Sequence, residues 1–133
     1  INIHLIRHPA RVIASYGAKR DKMTLEDFGF VQQAAIYEKL GGIVVDSADI
    51  RADPEAMLQK LCDAINLPFD SAMLQWDAGP REDDGAWSHH LYGSVHKSTG
   101  FLGAEDALPQ PSQYQDLLDQ ALPSYDAMAK HKV

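Results

Sequence analysis

"INIHLIRHPARVIASY", residues 1–16, is the stretch on which the fold turns. Its first six residues are an isoleucine-rich apolar run, the pattern of a buried strand. Pro9 then falls where a helix is able to start, because a first-turn N–H has no intrahelical partner and is not missed. A helix over residues 9–18 offers Val12, Ile13 and Tyr16 for packing. A strand that passes straight into a helix leaves free backbone N–H groups and a partial positive charge at its carboxyl end, where ligands of open α/β sheets gather. Arg7 stands at that junction with a planar donor fork suited to phosphate. Ser15, four residues after Arg11 on the same helix face, offers a hydroxyl. His8 has two competing readings, a nucleophile beside a phosphate-binding arginine or a bystander.

Downstream, Thr24-Leu-Glu-Asp27 resembles a capping box and predicts a second helix, with Leu25, Phe28, Val31, Ala35, Ile36 and Leu40 on one broad apolar face. Gly41-Gly42 ends it. Ile43-Val44-Val45 is short and β-branched, as expected of an interior strand of a parallel sheet covered on both faces. Asp53-Pro54-Glu55 combines an N-cap, a first-position proline and a first-turn acid. The helix it opens buries Met57, Leu58, Leu61, Cys62 and Ile65, and Asn66-Leu67-Pro68 stops it. Asp70 caps a short helix to about Trp76. Residues 77–100 lose the regular pattern and carry Trp87, Tyr92 and three histidines; loops of that length are commonly functional or mobile. Past Pro109 and Pro111, a last helix is expected from Ser112 to about Lys130, interrupted at Pro123.

With 133 residues, 45% of them hydrophobic, the chain has the content of one domain and no sign of disorder. No apolar run approaches the roughly 18 residues needed to cross a bilayer, and no charged-then-apolar leader is present. A cytoplasmic protein without a membrane partner is expected. The lone Cys62, at helical spacing from Leu58 and Ile65, is read as a core residue rather than a reactive thiol. His89-His90 is read as part of a polar loop, and no metal-ligand spacing occurs, so no metal is expected. The net charge of −7 argues against a nucleic-acid partner. Its distribution is uneven: residues 1–22 hold Arg7, Arg11, Lys19, Arg20 and Lys22 against Asp21 alone, while the rest is strongly acidic. A basic end on an acidic chain suits a small anionic ligand, although a solvated helix end has the same composition.

Two resemblances follow from these residues. "LIRHP" resembles the Arg-His-Gly signature of the histidine phosphatases, but Pro9 stands where that family has glycine. "RHPARVIASY" resembles the sulfotransferase family more closely, through Arg7, Pro9, Ser15 and Tyr16. In that family the matching Arg and Ser bind the 3′-phosphate of the donor, 3′-phosphoadenosine 5′-phosphosulfate, which makes His8 the bystander. "RADPEAMLQKLCDAINLPF" looks like the helix after the second strand of such proteins, and "SVHKSTGF", residues 94–101, is similar to a late segment that approaches the nucleotide. Lys97, Ser98, Thr99 and the Gly100 backbone are therefore candidate donor contacts, with a plain loop as the alternative.

The resemblance implies an α/β fold, part of a P-loop-like three-layer domain with parallel strands flanked by helices. Residues 1–133 would form the C-terminal portion of that single domain. The strand that begins at Ile1, with no preceding methionine, cap or turn, and the want of partners for two interior strands lead us to expect further strands upstream. The family's phosphate-cradling loop and histidine base are expected there too, since no glycine-rich loop ending in Lys-Ser/Thr occurs here. The implied activity is transfer of a sulfuryl group to a hydroxyl or amine of a small acceptor, whose contacts are expected from Trp87, Tyr92 and the nearby histidines. A non-catalytic nucleotide-binding or interaction module with the same fold is the reading from a different class.

Overall fold

The computed structural model describes residues 1–18, 22–110 and 112–133, without the side chains of residues 89, 91 and 112. Lys19, Arg20 and Asp21 of the basic end, and Pro111, lie outside the described residues. The first strand is β1 (Ile3–Ile6), followed by α1 (Pro9–Gly17), α2 (Phe30–Leu40) and β2 (Ile43–Asp46). β1 and β2 pair in parallel, with Ile3 opposite Ile43 and Ile6 opposite Asp46. Gly42 makes the return into β2: its φ is +135°, and a Cβ there would lie 2.5 Å from the Asn2 carbonyl oxygen. The remaining helices are α3 (Ser47–Ala52), α4 (Pro54–Ile65), the short α5 (Ser88–Leu91) and α6 (Gln115–Ala129). The mixed α/β class with parallel strands flanked by helices is as the sequence implies.

Helix α6 holds the two parts of the core together. At one end Ile6, Val44 and Met128 pack with Ala34, Tyr37 and Tyr125. At the other, Ala10, Ile13 and Leu118 pack with Phe28, Tyr114 and Leu122. Ile13 is wholly buried, a contribution of about 1.5–3 kcal/mol for a side chain of its size. Pro123 does not interrupt α6, which runs through it. Proline in a helix interior costs ~3 kcal/mol, and the burial of Leu118, Ala121 and Met128 on either side offsets that cost.

Four further expectations are corrected. Thr24 and Asp27 do form the capping box, but it opens a 3-10 turn over Leu25–Phe28; Gly29, at φ 70°, breaks the chain before α2 begins. The face of α2 that packs carries Phe30, Ala34 and Tyr37, while Val31, Ile36 and Leu40 of the expected face are exposed. β1 is not the fully buried strand expected of residues 1–6: His4 and Ile6 are buried, whereas Ile3 and Leu5 are 45% and 58% exposed. The alternation is that of a half-buried strand. After Asp70, which accepts a hydrogen bond from the Ala72 N–H, the chain makes only a 3-10 turn over Ser71–Leu74.

Elsewhere the local signals hold. Asp53 accepts from the Ala56 N–H and caps α4, Asn66 ends it in the left-handed conformation at φ 57°, and Cys62 is buried beside Met73. Among the described residues no helix is long and apolar enough to cross a membrane.

Candidate functional site

The parallel register brings the carboxyl ends of both strands to one edge, and the residues that follow them carry the charge. Arg7 leaves β1, Arg11 lies in the first turns of α1, and Arg51 lies on α3 immediately after β2. All three guanidinium groups converge on one carboxylate, Glu105. Arg7 Nη2 and Arg51 Nη1 donate to Glu105 Oε1 at 2.8 Å each. Arg11 Nε stands 2.7 Å from Oε2. The loop around Glu105 also accepts from the same arginines, Gly103 O from Arg51 Nε at 3.0 Å and Asp106 O from Arg11 Nη2. The Glu105 side chain is 4% exposed against 42% for Arg7. Burial pushes its carboxyl up, but the hydrogen bond from Arg7 and the charges of Arg7, Arg11 and Arg51 outweigh it and hold it below the usual carboxylate range. Three cations around one anion leave an excess of positive charge on the solvent side.

His8 is committed to the backbone. It is the N-cap of α1, and its Nδ1 accepts a hydrogen bond from the Ala10 N–H at 3.2 Å. An amide always donates, so the neutral ring carries its proton on Nε2, which then has no lone pair with which to attack phosphorus. Burial lowers the His8 pKa, only partly opposed by Asp126 and Asp46. The ring lies 5.2 Å from that of Tyr125, edge to face.

Ser15 is exposed and makes no hydrogen bond among the described residues. It follows Arg11 by one turn of α1 and takes no part in the ion pairs around Glu105. The late segment is placed differently. Ser98 Oγ donates to Val95 O and accepts from Trp76 Nε1, so its hydroxyl is already used. Lys97 is exposed. Thr99 and Gly100 line a cleft of about 940 Å³ whose walls include Asp53, Glu55, Asp77 and Trp76. Among the described residues no lysine or arginine lines it. Trp87 is 73% exposed, and Tyr92 contacts His96 edge to face. His96 Nε2 in turn meets Asp84 Oδ2 at 2.9 Å. The backbone N–H of Arg81 and the His96 contact hold the Asp84 carboxyl low. No group of three or more His, Cys, Asp or Glu placed to hold a metal ion occurs among the described residues.

Arg51 and Glu105 were not singled out by sequence reasoning. Neither belongs to a local pattern, since Glu105 is 98 residues from Arg7 and 54 from Arg51.

A basic cluster at the carboxyl edge of a parallel sheet, beside a helix N-terminus, is an arrangement of charge and backbone donors that suits an anion, set in an α/β domain. The chain matches the family described as "Sulfotransferase domain" over residues 1–132 and belongs to that family. It is also similar to two proteins of Arabidopsis thaliana, branched-chain-amino-acid aminotransferase-like proteins 1 and 2. Each is 36% identical over 96% of this chain, which spans 24% of their length. Their names describe whole proteins of which this chain matches about a quarter. No solved structure matches.

Proposed function

We propose that this chain is the 3′-phosphate-binding part of a sulfotransferase that uses 3′-phosphoadenosine 5′-phosphosulfate and transfers the sulfuryl group to a hydroxyl or amine of a small acceptor. The observation that carries this reading is the convergence of Arg7, Arg11 and Arg51 at the sheet edge in a chain of the sulfotransferase family. Three guanidinium charges against one carboxylate leave an excess of two, which fits a dianionic phosphate. The donor supplies the group transferred; the residues of this chain bind and orient it. Arg7 is the guanidinium most open to solvent and supplies the donor fork. Ser15, one turn past Arg11, supplies a hydroxyl to the outer side of the same phosphate. No step uses His8, whose place as N-cap speaks against a phosphohistidine mechanism.

Thr99 and Gly100 share their cleft with three carboxylates, which favours the acceptor rather than a phosphate there. Trp76 and Phe101, with ring centres 5.4 Å apart, supply an apolar wall of the kind that lines small-molecule pockets. Lys97 and Ser98 stay secondary in this assignment. A cytoplasmic setting and the absence of a nucleic-acid partner complete the proposal, the latter on the acidic net charge.

The test is calorimetric. The full-length protein is expected to bind adenosine 3′,5′-bisphosphate at least tenfold more tightly than adenosine 5′-monophosphate, the ligand without the 3′-phosphate, a difference of about 1.4 kcal/mol. Equal affinity for the two would reject the assignment.

A further inference from the structure

We infer that Glu105 is a positioning residue: from the loop before α6 it gathers Arg7, Arg11 and Arg51 into a single dianion-binding cluster, so that Arg11 and Arg51 complete the site that Arg7 begins. The inference deepens the reading above and rests on it for the identity of the ligand, but the cluster itself is testable with a simpler anion.

Three guanidinium groups repel one another, and among the described residues no other carboxylate pairs with any of them: they come from the end of β1, the first turns of α1, and α3. One carboxylate touches all three, with Oε1 shared by Arg7 and Arg51 and Oε2 facing Arg11. The backbone carbonyls of Gly103 and Asp106 on either side take further donors from Arg51 and Arg11. Residues 103–106 thus form a strap that sets the direction of two of the three planar forks. A guanidinium has five N–H donors, and Arg7 spends one group, Nη2, on Glu105. The Arg7 side chain is 42% exposed, and its other donors make no hydrogen bond among the described residues.

The alternative role, a carboxylate that blocks the site until a ligand expels it, fits the burial less well. Glu105 is the inner member of the group and Arg7 the outer one, 4% against 42% exposed. An anion arriving from solvent meets Arg7 first and has no need of the place that Glu105 takes. Expelling Glu105 would break three ion pairs together.

The two roles predict opposite signs. Glu105→Gln makes the cluster more positive, so a blocking or indifferent carboxylate gives tighter or unchanged anion binding. A positioning carboxylate gives weaker binding in spite of the added charge. With the full-length protein, inorganic pyrophosphate and adenosine 3′,5′-bisphosphate are titrated in parallel by calorimetry, and folding is followed by thermal melting. Glu105→Gln is expected to weaken both ligands by about tenfold, on the order of one lost charge-assisted contact. Glu105→Asp, which keeps the charge, is expected to bind more tightly than Glu105→Gln. Arg51→Lys, which keeps charge but not the fork, is expected to lose about threefold or more at an unchanged melting temperature.

Tighter or unchanged binding by Glu105→Gln overturns the inference, as do equal affinities of the Gln and Asp variants. If Glu105→Gln is unfolded at the assay temperature, Arg51→Lys decides, and full affinity in that variant overturns the inference. A wild-type protein that binds pyrophosphate with these variant effects, yet does not prefer the bisphosphate over adenosine 5′-monophosphate, sinks the donor assignment and leaves the positioning role standing.

Discussion

Tyr125 donates its phenolic hydrogen to Asp46 Oδ2 across 2.6 Å and so ties the middle of α6 to the last residue of β2. Asp46 is 2% exposed, and its other oxygen accepts the Ala48 N–H at 2.9 Å and caps α3. Burial, then the hydrogen bond to Asp46, raises the Tyr125 pKa well above that of an ordinary phenol, so the hydroxyl remains a donor throughout the physiological range. Through this contact the helix that organises the core also fixes the start of α3, the helix that carries Arg51.

Tyr125→Phe removes the donor and leaves a buried carboxylate short of one partner. It is expected to destabilise the fold by about 1–3 kcal/mol, the cost of a buried polar group left unpaired. Urea denaturation of the single variant and of Tyr125→Phe with Asp46→Asn gives the coupling; additive effects would show that the contact is not a joint one.

Arg7→Ala is expected to weaken binding of adenosine 3′,5′-bisphosphate by about 1.5–3 kcal/mol, the range for a hydrogen bond to a charged group. Ser15→Ala should cost about 0.5–1.5 kcal/mol, as a neutral donor. Calorimetry in which Ser15→Ala exceeds Arg7→Ala would reverse the order of importance argued from the cluster.

His8→Ala should act on stability and leave ligand affinity nearly unchanged. Loss of the N-cap is expected to cost about 0.5–2 kcal/mol. A phosphoryl-accepting histidine predicts the opposite, abolished turnover in a protein of unaltered melting temperature.

Acid titration tests Glu105 independently of any ligand. Its carboxyl is held below the usual carboxylate value of 4.5 in the folded chain, so between the two pKa values the unfolded state binds more protons. The stabilisation is therefore complete above about pH 4.5 and is lost as pH falls through the lower, folded value. Melting temperatures recorded from pH 6 downward should fall less steeply for Glu105→Gln than for the wild type; parallel curves would deny the ion pairs any net effect.

Much of the fold was legible because it rests on short-range chemistry. The β1-to-α1 junction announces itself through an apolar run, an arginine and a proline. Asp53 caps α4 as its neighbours Pro54 and Glu55 predict, and Cys62 is buried as helical spacing requires. Helix α2 was misread because it is apolar on more than one side: Phe30, Ala34 and Tyr37 make as good a helical stripe as Val31, Ala35 and Ile36. The sheet and α6, the latter arriving from far along the chain, together select which stripe is buried.

The same division runs through the site. The sequence by itself determined that an arginine would stand where a strand hands over to a helix, since strand, proline and helix lie within one short segment and obey local rules. The tertiary structure alone decided that Arg11 and Arg51 join Arg7 around Glu105, because ion pairs between residues 54 and 98 positions apart leave no periodic trace in a chain and exist only once the parallel pairing of β1 and β2 has brought their ends together.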